Sequence, residues 1–465
     1  MHFAILEIEE KTDEHGSYVS YAVSINGGFH SSIRYRQLRE LHDQLKKDFG
    51  ARVPDRFPPK KLLTLNQTQL EDRREQLEKY LQAISQDPVL VASKTFLKFL
   101  LKAQKESSNV EEEDTELDIY LMNGKKFQVK IRNTDSTDHV IQEAMSQIKL
   151  PQNMVQYFSL FLIEQEEESD WAVIRKLQGF ESPSLVLMPI KETHRLVIRK
   201  NFWDLSKEDE LYKDKIALNL LFVQAVNDVE RDWVITTPET LEELGNLKTK
   251  NERKKYLKLA RSQKFYGYLQ LKPCKMDFPH MNSHVILNVG GYELNFRLIG
   301  TQDTKAKEGC FKVTRMKCWR VVSSKDNKKG EIVTKIAFEY LFSKEKLQWV
   351  TIISEQAMLV SLCLQGMVDE IVERKAKAKK SEALKQTKKE TETAVAKESS
   401  AAKESAAAKE LSQKEEKQEA QSSDEGPKDG NEDSPSTRGS KKKKQKKIVS
   451  VKNEIFAQDI KDEDL

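Results

Sequence analysis

Cysteine is scarce in this chain and absent from its first hundred residues. The four present, Cys274, Cys310, Cys318 and Cys363, form no C-x-x-C pair, which argues against a disulfide framework or a zinc site and fits a reducing compartment. No apolar run approaches the ~18 residues that a membrane-spanning helix needs. The opening His2-Phe3-Ala4-Ile5-Leu6 lacks the long apolar region of a signal peptide, so a cytosolic protein is expected. Excess charge is missing as well. A net +4 over 465 residues gives no global pull towards nucleic acid, and any affinity for nucleic acid or membrane has to come from local patches. There is no P-loop, no G-x-S-x-G and no H-E-x-x-H, and the eight histidines are scattered without metal-ligand spacing. These gaps point away from an enzyme, a cofactor or a bound metal. No aromatic residue occurs between Glu373 and Asn453.

The length leaves room for about three domains. Charged residues at 33% against 38% hydrophobic predict that part of the chain is disordered. Within the first hundred residues three basic clusters follow one another: Ile33-Arg34-Tyr35-Arg36, Phe57-Pro58-Pro59-Lys60-Lys61 and Arg73-Arg74. Arginine offers a planar fork to a phosphate, and a tyrosine face can carry a sugar-like ring. Prolines hold the lysines of their loop out towards a surface. Strands are predicted over Tyr18–Ile25 and Phe29–Tyr35 around Asn26-Gly27-Gly28. Helices follow, marked by Leu38, Leu41, Leu45 and Phe49, then Leu70, Leu77, Leu81 and Ile84, then Phe96, Phe99 and Leu100. Arg73 lies off the apolar stripe of its helix, free to reach a ligand.

After an acidic linker, two alternating runs flank Asn123-Gly124, a strong hairpin signal, and Thr134 to Thr137 caps a helix. Two strands and a helix are how a ubiquitin-like fold begins. From Trp203 to about Leu271 the pattern is helical, with Ala217, Leu218, Leu221, Phe222, Ala225, Val226 and Val229 forming a wide apolar stripe. Short strands then succeed one another, including Phe311 to Val322, before a helix with Ser354 as its N-cap. Strands closed by one helix suggest a phosphotyrosine-binding-like (PTB) sandwich, whose edge strand can accept a peptide by main-chain hydrogen bonds.

The three clusters in this order resemble the phox-homology (PX) domain, and the segments after it resemble a FERM module. The chain is similar to the PX–FERM sorting nexin subfamily from Met1 to about Ala378, and again in its last residues. The fold expected is α+β multidomain. It comprises a PX domain over 1–106, an acidic linker at 107–115, a ubiquitin-like F1 lobe over 116–200, a helical F2 lobe over 201–272 and a PTB-like F3 lobe over 273–378. A disordered Lys/Glu/Ala/Ser-rich tail over 379–452 and a docking motif over 453–465 complete it. The resemblance implies that Arg34 binds the 3-phosphate of phosphatidylinositol 3-phosphate, with Arg36 beside it. Tyr35 would stack on the inositol ring, Lys60 would meet the 1-phosphate and Arg73 the ring hydroxyls. The loop Lys61-Leu62-Leu63-Thr64-Leu65 either dips into the membrane interface or closes the core.

In the F3 lobe the resemblance implies a groove for Asn-Pro-x-Tyr and related Asn-x-x-Tyr motifs of receptor tails, lined by Trp319, Arg320, Val368 and Val372. At the terminus, Ile460, Asp462, Glu463, Asp464 and Leu465 match a sequence that docks the Retriever recycling complex. Asn453-Glu454-Ile455-Phe456 also has the Asn-x-x-aromatic shape and is expected to fold back onto the Trp319 groove. The basic block Lys441 to Lys447 leaves three uses open: anionic lipid, a nuclear address or plain solubility. The implied function is a monomeric endosomal cargo adaptor on the cytoplasmic face of early endosomes, without nucleic acid as a partner. A FERM-type link between membrane and cytoskeleton is the alternative.

Overall fold

The computed structural model describes residues 1–14, 16–61, 65–165, 171–190, 192–300, 308–325, 332–344, 346–381, 447–453 and 455–456. The chain divides into two compact units, Met1–Glu370 with Lys447–Leu465, and Ile371–Lys446. Of the second unit the described residues, 371–381, are helical.

In the N-terminal domain, β1 (Phe3–Asp13), β2 (Gly16–Ile25) and β3 (Gly28–Arg34) form an antiparallel sheet in chain order. Asn26 and Gly27 take positive φ between β2 and β3, as a tight hairpin turn demands. Helices α1 (Tyr35–Phe49), α2 (Gln67–Gln86), α3 (Pro88–Val91) and α4 (Lys94–Ser108) cover the sheet. Leu38, Leu41, Leu45, Leu77, Leu81, Ile84, Phe96 and Leu100 meet Phe3, Ile5, Tyr21, Val23 and Ile33 in one core. The strand β1 is absent from the sequence reading, because its outer half is charged and shows little alternation.

The first lobe is a five-stranded sheet. It contains β4 (Asp114–Tyr120), β5 (Lys126–Arg132), β6 (Phe158–Gln165), β7 (Trp171–Lys176) and β8 (His194–Lys200), in the order β5-β4-β8-β6-β7. Strands β4 and β8 are parallel, and the hairpin β4–β5 turns at Asn123-Gly124. Helix α5 (Thr137–Gln147) is capped by Ser136, and a short α6 (Pro183–Leu187) follows β7. Phe180 belongs to the N-terminal core, and Ser182 N donates to Gln104 Oε1 at 2.8 Å, so the first lobe is welded to the N-terminal domain.

The second lobe holds α7 (Glu208–Leu211), α8 (Lys215–Glu230), α9 (Pro238–Thr249) and α10 (Arg253–Arg261). Eleven of the sixteen residues of α8 are buried, so it is the central helix rather than a one-sided one.

The third lobe is one antiparallel sheet. Its strands are β9 (Leu269–Gln270), β10 (Cys274–Met276), β11 (Ser283–Gly290), β12 (Glu293–Leu298), β13 (Glu308–Lys312), β14 (Met316–Lys325), β15 (Ile332–Ser343) and β16 (Lys346–Ile353). The run Phe311 to Val322, read as a single strand, is broken by a 3-10 turn at Val313–Arg315. A helix, α11, covers 357–381, so Ser354 stands just ahead of it. Its hydroxyl still accepts from Gln356 N at 3.1 Å. A last strand, β17 (Lys447–Lys452), pairs antiparallel with β14 and completes the sheet. This corrects the disordered tail of 379–452 at its far end. Composition condemns a polar segment that has nothing to pair with, whereas Ile448-Val449-Ser450-Val451 finds a strand whose main-chain groups are open.

Candidate functional site

The first site gathers at the strand–helix junction of the N-terminal domain. Arg34 closes β3 in extended conformation and serves as N-cap of α1, with its N–H donating to Gln37 Oε1 at 2.7 Å. It therefore stands at a helix N-terminus, where an anion is favoured. Its Nη2 donates to Asp13 Oδ2, and its Cζ lies 3.2 Å from the centre of the Tyr18 ring. The hydrogen bond to Asp13 raises its pKa further, so it stays charged.

Tyr35 begins α1. Its hydroxyl donates to Pro58 O at 2.8 Å, which ties the Pro58-Pro59 loop to the helix. Beneath lies an aromatic wall. Phe57 is 5.7 Å from Tyr35, stacks on His42 at 4.7 Å, and meets Tyr80 edge-on at 4.9 Å. Arg73 reaches across from α2: its Cζ sits 4.3 Å from the Tyr35 ring centre, and its Nη2 donates to Pro59 O at 3.4 Å. Arg34 and Tyr35 thus adjoin at the strand–helix junction, and Arg73 reaches the Tyr35 ring from α2. Lys60 is exposed at the end of that loop.

Arg36 does not join them. It is almost fully exposed and pairs with Glu40 one turn along α1, at 2.9 Å, because its position faces away from the junction. Arg74, adjacent to Arg73, turns inward: its Nη1 donates to Ile5 O at 2.7 Å, and Glu71 and Glu78 neutralise it. One residue of helix, about 100° of rotation, separates a surface arginine from a structural one. Sequence reading missed Asp13 and Tyr18, which contact Arg34. Their positions on the β1–β2 hairpin are the only signal, and that hairpin was not foreseen. Leu62, Leu63 and Thr64 lie outside the described residues.

The second site is the β14 edge. Residues Cys318 to Ser323 pair with Lys452 to Lys447 in β17. Beyond β17, Asn453 N donates to Lys317 O at 3.1 Å. Its buried amide donates to Val313 O at 2.8 Å and to Met316 O at 2.6 Å. Asn453 Oδ1 accepts from Ile455 N at 3.1 Å, as in an Asx turn, and Ile455 is buried. So the Asn-x-x-aromatic segment lies against the Trp319 strand.

Trp319 is fully buried, and its Nε1 donates to Ser361 Oγ on α11 at 3.0 Å, so it joins β14 to α11 from inside the lobe. Arg320 alternates to the outer face and stacks on Trp349 at 4.3 Å. Val368 is buried. Val372 belongs to the second compact unit and is exposed. The residues of the terminal motif, Ile460, Asp462, Glu463, Asp464 and Leu465, and Lys441 to Lys446 lie outside the described residues.

A hydrogen bond also joins the N-terminal domain to α11: His2 Nε2 and Ser361 Oγ are 2.9 Å apart. Among the described residues no helix is long and apolar enough to cross a membrane, and no group of three or more His, Cys, Asp or Glu could hold a metal ion.

Basic side chains at the strand–helix junction of a three-stranded, helix-covered domain, followed by ubiquitin-like, helical and PTB-like lobes, define a PX–FERM protein. The PX domain model matches residues 22–103. The sorting nexin 17/27/31 FERM domain F1 lobe matches 115–203, the sorting nexin 17/31 FERM domain F2 lobe 204–264, and the sorting nexin 17 FERM C-terminal domain 267–372. The chain is 43% identical to sorting nexin-17 of Danio rerio over 81% of its own length and 82% of that protein. To sorting nexin-17 of Homo sapiens it is 42% identical over 81% and 83%. To sorting nexin-31 of Homo sapiens it is 32% identical over 80% and 86%. The chain belongs to the PX–FERM sorting nexins.

Proposed function

We propose that this protein is an endosomal sorting adaptor that reads phosphatidylinositol 3-phosphate with its PX domain and Asn-Pro-x-Tyr-type motifs of receptor tails with β14. Arg34 grips the 3-phosphate, Tyr35 carries the inositol ring, Arg73 meets the ring hydroxyls and Lys60 the 1-phosphate. Such an adaptor sits on the cytoplasmic face of early endosomes and returns receptors to the cell surface rather than to lysosomes. Coincident engagement of lipid and receptor tail, each weak alone, confines it to membranes that carry both. Its last residues, Ile460 to Leu465, dock the Retriever complex, by their resemblance to sorting nexins.

The observation that supports this reading most is the tail itself on β14. Main-chain pairing plus an Asn-anchored turn is the contact set that strand addition of an Asn-x-x-aromatic peptide requires. A receptor motif then competes with Asn453-Phe456 for the same edge, and cargo opens the protein. The lipid half is tested with the full chain and phosphatidylcholine vesicles with or without phosphatidylinositol 3-phosphate. Binding should require the 3-phosphate and fall at least tenfold in Arg34→Gln, an estimate on the scale of a lost charge-assisted bidentate contact, about 1.5–3 kcal/mol. Equal sedimentation of wild type and variant would overturn the assignment.

A further inference from the structure

The guanidinium assigned to the phosphate already has an anion. Arg34 Nη2 donates to Asp13 Oδ2 while its flat face lies on Tyr18. Asp13 ends β1 and pairs with Gly16 across the hairpin turn, whereas Arg34 ends β3, on the far side of β2. The contact is therefore made across the sheet, not by neighbours along the chain. Both side chains keep part of their surface in water, 29% for Asp13 and 39% for Arg34, so the carboxylate has somewhere to go when displaced.

We propose that Asp13 is a selectivity residue of the Arg34 site: its carboxylate occupies the guanidinium until a phosphomonoester displaces it, and it turns weaker anions away. This rests on the lipid reading above. Exchanging one carboxylate for another, such as that of phosphatidylserine, gains nothing at the guanidinium and adds the cost of immobilising the newcomer. A phosphomonoester carries about −1.5 to −2 charges and three strong acceptor oxygens, so it wins the exchange. The displaced Asp13 stays tethered to its hairpin and repels any further negative group beside the phosphate. Tyr18 keeps the guanidinium plane in place throughout, so only the partner in that plane changes.

The test uses the full chain, Asp13→Asn, Asp13→Ala and Arg34→Gln, with phosphatidylcholine vesicles bearing either phosphatidylinositol 3-phosphate or phosphatidylserine. Removing the built-in competitor should tighten binding to the 3-phosphate about two- to fivefold, the range of one exposed ion pair. Binding to phosphatidylserine should rise by a larger factor, so that discrimination between the two vesicles narrows. Asp13→Ala checks that the effect follows the lost charge and not a local change peculiar to asparagine. Unchanged or weaker binding in both Asp13 variants, or unchanged discrimination, overturns the proposal. If Arg34→Gln abolishes binding while the Asp13 variants behave as wild type, only the role of Asp13 falls. If Arg34→Gln itself binds as wild type, the lipid reading falls and takes this role with it.

Discussion

Replacing Asn453 with alanine asks whether the tail and a receptor peptide contend for one strand edge. The Asn453 amide makes three hydrogen bonds in a buried setting: to Val313 O, to Met316 O, and from Ile455 N. Each buried hydrogen bond contributes about 0.5–1.5 kcal/mol net, and alanine removes all three in the closed form alone, although Val313 O keeps the Met316 N–H of its 3-10 turn. The closed form should lose about 2–3 kcal/mol, which divides the closed-to-open ratio by roughly 30 to 150. Apparent affinity for an added peptide equals intrinsic affinity reduced by the open fraction, so it should rise by up to that factor when the wild type is mostly closed. Fluorescence anisotropy of a labelled Asn-Pro-x-Tyr peptide against the full chain, Asn453→Ala and a chain ending at residue 446 measures it. Both altered chains should bind more tightly, the truncated one at least as tightly as the point variant. If neither differs from wild type, tail and peptide do not share β14 and the reasoning fails.

Three further outcomes are expected. Arg73→Met should weaken 3-phosphate vesicle binding and leave thermal unfolding unchanged, whereas Arg74→Met should lower the unfolding temperature by removing the buried guanidinium that joins Glu71, Glu78 and the Ile5 carbonyl. Ser361→Ala should cost about 1–3 kcal/mol, read by chemical denaturation, because buried Trp319 Nε1 and His2 Nε2 lose their shared partner. The pKa of His2 is held down to about 4 by burial and then by the neighbouring N-terminal ammonium, against 6.5 in an exposed histidine. The unfolded chain therefore takes up a proton first. The contribution is intact above pH 6.5 and erodes as pH falls towards 4, and His2→Gln should flatten that part of the stability profile.

Sequence pattern carried the helices well, because α1, α2 and α4 each bury one clean stripe, and the Asn123-Gly124 hairpin declared itself through turn chemistry. The Asn-x-x-aromatic segment at 453 was legible too, since its shape is local. Other features depend on partners that no local pattern reveals. Arg73 and Arg74 are interchangeable letters until the helix is rotated against Ile5. Trp319 is expected to line a peptide groove, yet Ser361, forty-two residues on, supplies the hydrogen bond that lets its indole sink completely. The pairing of β17 needed an edge more than a hundred residues upstream. Asp13 and Tyr18 escaped notice for the same reason, being placed by a hairpin whose strand β1 lacks alternation.

The tail strand has a consequence for colloidal behaviour. With β17 docked, the stretch Cys318–Ser323 of the long strand Met316–Lys325 has its outer edge paired within the molecule. Stripped of that cover it would be an uncapped sheet border, the kind of surface that recruits copies of itself into oligomers. The terminus thus doubles as a solubility guard, and preparations truncated before residue 447 should self-associate as concentration rises unless a receptor peptide is supplied in its stead.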